Sequence, residues 1–252
     1  ILAALVNLTD ETNLTEAVTD LFAGKQVNKS EKQSAFHIGL RHSEIARKTR
    51  QYDSVLNQFT KMVEMEKSIN KGIRRGFTNK PFTDVVQIGI GGSHIGSLFL
   101  TEALNEYRTS HVNVHFISNI DPNNFFATTK KLDPETTLFI VVSKSFNTIE
   151  TAVNFRSARS WFSERTNSAH YFHEHIIAVT ENTDAAQTSG IKEQNIFTIP
   201  KAVGGRYSIW SATSLAAVIY LGSSTFHRFL KGAAIADQHF IQEKNKLKNI
   251  PV

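Results

Sequence analysis

Two short segments hold the residue types best suited to chemistry in this chain: Gly89-Ile90-Gly91-Gly92-Ser93-His94-Ile95-Gly96-Ser97 and Ser143-Lys144-Ser145-Phe146-Asn147-Thr148. Each stands between an apolar run and a helical pattern. A helix start carries free backbone N–H groups and a partial positive charge, so both segments suit an anionic ligand. In the second, Ser143, Ser145 and Thr148 offer three hydroxyls beside the loop amides. A phosphate monoester has three acceptor oxygens that such a cup can satisfy without a metal. Lys144 at a helix start is electrostatically unfavourable unless an anion sits nearby. The competing reading of this segment is a Ser/Thr-rich helix cap with an exposed lysine. For the first segment it is a strand–helix turn that simply needs glycine; otherwise Gly92 and Ser93 present N–H groups and a hydroxyl.

The first segment approaches two nucleotide motifs and matches neither. A dinucleotide fingerprint beginning at Gly89 would need its third glycine at His94, although Asp121 stands where a ribose-binding acid belongs. A phosphate-binding P-loop has the right spacing from Gly91 to Gly96, but Ser97 replaces its lysine. A nucleotide-dependent oxidoreductase is therefore disfavoured. Gly204-Gly205-Arg206 places an arginine after two glycines at the mouth of an apolar stretch. Arg206 is either a surface residue or a group able to hold a sugar hydroxyl or stabilise an enediolate. His170, His173, Glu174 and His175 show no helical i, i+4 pair, so no metal site is expected. His37 and His94 read as packing or capping residues.

The elements that must position these loops follow from periodicity. Residues Ile1 to about Arg75 read as helical, with Phe59, Met62, Val63, Glu66 and Ile69 near helical spacing. Gly72, Gly76 and Asn79-Lys80-Pro81 end that segment. Strands are expected at Val85–Ile90, Val112–Ile117, Thr137–Val142, His175–Val179 and Asn195–Ile199. Between them, helices are expected from His94 to Tyr107, after Asp121-Pro122, and from Thr148 to Phe162, where Ile149, Ala152, Val153 and Arg156 share a side. A short helix follows Thr180-Glu181-Asn182-Thr183, and an apolar helix runs from the Val203–Ser208 segment through Leu221. Five strands alternating with helices predict an α/β fold with a doubly wound parallel sheet, in which ligands bind beyond the strand carboxyl ends.

Composition sets outer limits. With 252 residues, 40% hydrophobic and 20% charged, the chain suits a globular protein with a large core. It has no cysteine, which excludes disulfides and thiolate chemistry and is compatible with a cytoplasmic location. No apolar run reaches the roughly 18 residues that span a bilayer, and with no n-region, h-region and cleavage site at its start no secretion signal is expected. The first residue is Ile1 rather than Met, so the chain reads as part of something longer. The net charge of +5 is spread over scattered groups such as Arg47, Lys48 and Arg50, or Lys71, Arg74 and Arg75. Nucleic acid is therefore not an expected partner; small anions are.

Three motifs in this order, IGIGGSHIGSLFLTEAL, VVSKSFNTIET and VGGRYSIWSATSLA, resemble the glucose-6-phosphate isomerase (phosphoglucose isomerase) family. FAGKQVNKSEKQSAFHIGLR, SNIDP and DQHF are similar to it too, so the resemblance covers nearly the whole chain. It implies the SIS (sugar isomerase) fold: a five-stranded parallel sheet with flanking helices over residues 81–225. A helical segment would precede it over 1–80, and 226–252 would be a helical connection to a C-terminal SIS domain not contained in this chain. It implies reversible interconversion of glucose 6-phosphate and fructose 6-phosphate through a cis-enediol(ate), in glycolysis and gluconeogenesis, by a cytoplasmic homodimer using neither metal nor cofactor. Position by position, Ser143, Ser145 and Thr148 match the family's phosphate-binding hydroxyls, with Lys144 in the same loop. Gly92 and Ser93 match its substrate-contacting pair, and Arg206 matches the arginine that stabilises the intermediate. The family's base, ring-opening histidine and lysine lie downstream of DQHF and have no counterpart here; neither Glu150 nor Glu181 matches the base. The isolated 252-residue chain is thus expected to bind sugar phosphate weakly and not to isomerise it. Departures from the pattern are Ser30-Glu31-Lys32-Gln33 for a TEGR-like segment, His94 where an acid is common, and Ser145 for threonine. The alternative reading is a non-catalytic SIS-type regulatory module that binds sugar phosphate.

Overall fold

The structure, a computed structural model, describes residues 1–41, 44–47 and 51–251. The basic residues Lys48 and Arg50, and part of the expected N-terminal helical stretch, lie outside the described residues. Helices are α1 (Leu2–Glu11), α2 (Leu14–Phe22), α3 (Glu44–Arg47), α4 (Tyr52–Asn70), α5 (Ile95–Ala103), α6 (Pro122–Thr129), α7 (Ile149–Thr166), α8 (Thr183–Thr188), α9 (Leu215–Leu221) and α10 (Ser223–Gln242). Strands are β1 (Asp84–Ile88), β2 (Asn113–Ile117), β3 (Thr137–Val142), β4 (Ile176–Thr180) and β5 (Ile196–Thr198). The described chain falls into two compact units. One comprises Asn57–Lys201 with Gly205–Phe226; the other comprises Ile1–Leu56, Ala202–Gly204 and the chain from His227 onward.

The first unit holds the sheet. All neighbouring strands pair in parallel, in the order β2-β1-β3-β4-β5. The chain steps from β1 to β2 on one side, then returns to place β3 on the other. Strand order therefore reverses between β1 and β3, the point at which such sheets open a crevice. Burial on both faces explains the near-continuous apolar runs: every residue of β3 and β4 is buried. On one face Val86, Ile88, Phe139, Val141, Ile176 and Ala178 pack with Phe125 of α6, Trp161 and Phe162 of α7, and Ala186 of α8. Each of the valine, isoleucine and phenylalanine side chains taken out of water contributes about 1.5–3 kcal/mol. Toward the other face, the Ser97 hydroxyl of α5 accepts from the Ala217 N–H of α9 at 3.3 Å. From α4, Lys61 Nζ donates to the Ile196 carbonyl at 2.6 Å, and Gln58 Oε1 accepts from Thr198 N–H at 3.0 Å.

Several expectations need correction. The N-terminal stretch is not helical throughout, because α2 ends at Phe22 and Gly24 turns the chain with φ +70°. There the Asn28 side-chain oxygen accepts from the Glu31 N–H, and Asn28 bridges Gln33. An Asx turn of this kind gives the backbone a local alternative to the helix. On α7 the buried face is Thr151, Asn154, Ala158, Trp161 and Phe162, whereas Ile149 is 72% exposed and Arg156 is exposed. Its orientation is set partly by Asn154, whose amide donates to the Asn119 carbonyl at 2.9 Å. The expected helix through Leu221 is instead two 3₁₀ turns, Gly205–Trp210 and Ala212–Ser214, followed by α9. Serine and threonine hydroxyls capture the carbonyls: Ser211 that of Ser208 at 2.6 Å, Ser214 that of Ile209 at 2.7 Å. α5 stops at Ala103 and tightens into a 3₁₀ turn over Asn105–Tyr107. Strand ends shift by a residue or two from the expected limits.

The second unit contains α1, α2, a 3₁₀ turn over Phe36–Arg41, α3 and most of α10. Arg41 pairs with the buried carboxylate of Asp237, and Phe22 meets Phe240 edge-on at 5.9 Å. Burial raises the Asp237 carboxyl to about 6, against the opposing pull of Arg41. Burial lowers the His37 imidazole to about 4, helped by the Arg41 charge.

Candidate functional site

The glycine loop leaves β1 and turns within five residues. Gly89 lies so close to the Ser93 carbonyl that a Cβ would sit 2.5 Å from its oxygen, and Gly91 adopts φ +56°. A Cβ on Gly92 would sit 2.2 Å from the Gly205 carbonyl oxygen, so the glycine loop and the Gly205–Trp210 turn touch backbone to backbone. The loop closes where Ser93 N–H donates to the Ile90 carbonyl at 3.1 Å. His94, the first residue beyond it, lies edge-on to Phe116 with ring centres 5.5 Å apart, and burial lowers its pKa.

The serine loop leaves β3 and is held from below by the segment after β4. The Lys144 carbonyl accepts from Glu181 N–H at 2.9 Å and from the Thr180 hydroxyl at 3.1 Å. Asn182 donates to the Ser145 carbonyl at 3.2 Å while its own oxygen caps α8 by accepting from Ala185 N–H. Phe146 turns back with φ 58°, which sends its ring toward Phe155, 6.3 Å away. The hydroxyls of Ser143 and Thr148 are left facing each other at 3.3 Å. Thr148 precedes α7 in extended conformation without capping it through its side chain. These hydroxyls are thus not used up by the helix end, as an ordinary cap would require.

Gly92, Ser93, Ser143, Lys144, Ser145 and Thr148, all singled out from the sequence, line one cleft of about 640 Å³ at the carboxyl ends of β1 and β3. Gly205 lines it as well. Arg206 is exposed on the same turn, next to Gly205, and is not part of the lining. Lys144 Nζ donates to the Lys201 carbonyl at 2.7 Å and stands 3.8 Å from the Glu181 carboxylate. The lysine's position therefore has a protein-internal explanation that needs no anion. Glu181, set aside above as a counterpart of the family base, also faces the cleft, as do Asn182, Asn147 and Thr151, which the sequence does not single out. The signal for Glu181 and Asn182 was strand order: β4 lies beside β3, so its exit loop borders the same crevice.

The histidine group has a structural account. His175 is fully buried, with Nδ1 2.8 Å from the Thr137 carbonyl and Nε2 accepting from Phe77 N–H at 3.1 Å. These partners require the neutral tautomer protonated on Nδ1, and burial lowers its pKa accordingly. Among the described residues no group of three or more histidines and acids is placed to hold a metal ion. Among them, no helix is long and apolar enough to cross a membrane.

Comparison with known proteins adds an independent finding. A profile of the family described as Phosphoglucose isomerase matches residues 1–252. The chain is 43% identical over 256 residues to a glucose-6-phosphate isomerase of Pseudomonas fluorescens strain Pf-5, covering 98% of this chain and 45% of the relative. A glucose-6-phosphate isomerase of Helicobacter pylori strain G27 is 40% identical over 243 residues, covering 95% and 45%. Among solved structures, a glucose-6-phosphate isomerase from Chlamydia trachomatis superposes with a TM-score of 0.79 at 28% identity, covering 96% of this chain and 46% of the other. A hypothetical protein from Thermus thermophilus superposes at 0.68 and 25% identity, covering 94% and 50%. The chain thus spans about half the length of the curated relatives it matches.

Proposed function

The chain belongs to the phosphoglucose isomerase family, and from that premise we propose that the protein interconverts glucose 6-phosphate and fructose 6-phosphate, with these residues holding the substrate. One observation carries the reading: six residues chosen for anion and sugar chemistry converge on a single cleft at the switch point of the sheet. Ser143, Ser145 and Thr148 take the phosphate oxygens, and the glycine loop brings Gly92 and Ser93 to the sugar. Arg206 swings its guanidinium toward the enediolate oxygen that develops as a proton leaves C2 and another is returned to C1. We assign the proton transfers and ring opening to none of these residues, and neither Glu150 nor Glu181 matches the position of the family base. The phosphosugar-binding domain is taken as 81–225, between a partly helical segment at 1–80 and a helical connection at 226–252. A cytoplasmic homodimer completes the reading, with the family resemblance as its support. No observation favours the regulatory module, and the relatives matched over most of the chain carry the isomerase name.

The direct test is conversion of glucose 6-phosphate to fructose 6-phosphate by the full-length gene product, followed by NMR. Conversion is expected, and its absence with this sugar phosphate overturns the reading. Calorimetry with the 252-residue chain alone should show weak binding without turnover. Turnover at a rate typical of enzymes would overturn the division of labour.

A further inference from the structure

Gln87 occupies the middle of β1, in register with Phe116 of β2 and Ile140 of β3, and is fully buried. The position calls for an aliphatic side chain like its neighbours Val86 and Ile88. Its amide nitrogen instead donates to the Ser93 carbonyl at 2.8 Å and to the Thr213 carbonyl at 3.4 Å. Two carbonyls on one side fix the amide orientation, because an oxygen placed there would face two acceptors. The opposite end, Oε1, is buried with no hydrogen-bond partner. A half-satisfied amide in the core is worse for stability than an apolar residue of the same size. Burial alone therefore gives no reason for a glutamine here, and its donor end is explained by what it holds.

One acceptor lies in the glycine turn that borders the cleft, the other just beyond the Gly205–Trp210 turn. Ser93 is the last residue of the glycine turn. Thr213 follows the turn that bears Arg206 and is bonded back to it through its hydroxyl, which donates to the Ser208 carbonyl at 2.6 Å. The Ser208 hydroxyl in turn donates to the Gly205 carbonyl at 2.7 Å and reaches the Gly92 carbonyl at 3.5 Å. A closed circuit results: hydrogen bonds run from Gln87 to Ser93, the chain itself leads to Gly92, and hydrogen bonds return through Ser208 and Thr213 to Gln87. Gln87 is its one link anchored in a strand of the sheet. We propose that Gln87 is a positioning residue, whose amide clamps the glycine loop to the Arg206 turn and sets the separation of two substrate-facing groups without lining the cleft itself. This rests on the isomerase reading given above.

The test uses the full-length protein and Gln87→Met, which keeps length and volume while removing both polar ends. Loss of the orphaned oxygen offsets part of the cost of leaving the Ser93 and Thr213 carbonyls without their donor, so the variant should still fold, with a modestly lower melting temperature. kcat/KM for glucose 6-phosphate should nevertheless fall between about ten- and a hundredfold, divided between a higher KM and a lower kcat, as expected when groups shift by a fraction of an ångström to an ångström. Gln87→Asn, which keeps the donor on a shorter arm, should fall between the two and serves as the readout if Gln87→Met does not fold. Unchanged kcat and KM in a folded variant overturn the proposal, as does a loss that disappears when the assay is run far below the melting temperature. If the wild-type protein does not isomerise, the functional reading fails separately. The same variants are then read by calorimetric affinity for glucose 6-phosphate, and unchanged affinity overturns the clamp.

Discussion

The glycine loop and the serine loop leave adjacent strands of one sheet and border one cleft, yet they depend on opposite properties of their residues. In the glycine loop the absence of side chains is what counts, since Cβ atoms at Gly89 and Gly92 would run into backbone 2.5 and 2.2 Å away. The serine loop contains no glycine, tolerates a phenylalanine at φ 58°, and lines the cleft with hydroxyls that the helix end does not consume. One loop is thus defined by close backbone approach and the other by donor chemistry. A phosphosugar needs both, because the phosphate requires many donors and the sugar requires a wall that comes close.

The sharpest way to break this contrast is Gly92→Ala in the full-length protein. Neither carbonyl nor loop can retreat without separating the glycine loop from the Gly205 turn, so kcat/KM should fall by about a hundredfold or more. Gly91→Ala is the control: its φ is strained but its space is open, and it should cost on the order of 1–3 kcal/mol of stability with a smaller kinetic effect. Equal damage from both would mean that strain, not close approach, governs the loop. Next in size is the double change Ser143→Ala with Thr148→Val. Each hydrogen bond to a charged group contributes about 1.5–3 kcal/mol, so calorimetric affinity for the sugar phosphate should drop at least tenfold while the melting temperature moves little. A large fall in melting temperature with intact affinity would make the loop a structural cap. Lys144→Met should be milder, about two- to fivefold in affinity, because the ammonium is half-exposed and already shared between Lys201 and Glu181.

The smallest expected effect is on acid sensitivity. Burial lowers the His94 pKa, so protonation costs more in the folded protein than in the unfolded chain. Its contribution is therefore present above the unfolded value near 6.5 and is lost as pH falls through the depressed value. Amides of the glycine loop should exchange faster at pH 5 than expected from chemistry alone, and His94→Gln should flatten that dependence. An unchanged profile in the variant would remove His94 as its source.

Much of the scaffold was legible because buried parallel strands are short apolar runs with turn residues at both ends. β3 was located to the residue, and Asp121-Pro122 marked a helix start that Asp121 does cap, accepting from Asn123 N–H at 2.8 Å. The failures have one physical origin. Where a side chain could bond either to its own backbone or along a helix, local pattern did not decide between them. Ser208, Ser211, Thr213 and Ser214 look like polar interruptions in an apolar helix, but their hydroxyls take up carbonyls and tighten the chain into 3₁₀ turns. On α7 the apparent stripe through Ile149 and Arg156 was a matter of spacing alone. The sheet chose the face bearing Thr151, Asn154 and Trp161 instead.

The sequence by itself determined the class of fold, the two loops at strand ends and the chemistry their residues can offer, because each follows from local composition and period. It also carried the family resemblance. Tertiary structure alone decided that the loops share a cleft, that Glu181 and Asn182 border it, and that Gln87 joins the glycine loop to the segment that follows the Arg206 turn. Those facts depend on strand order and on hydrogen bonds between residues up to 126 positions apart, and no local pattern encodes a neighbour so distant along the chain.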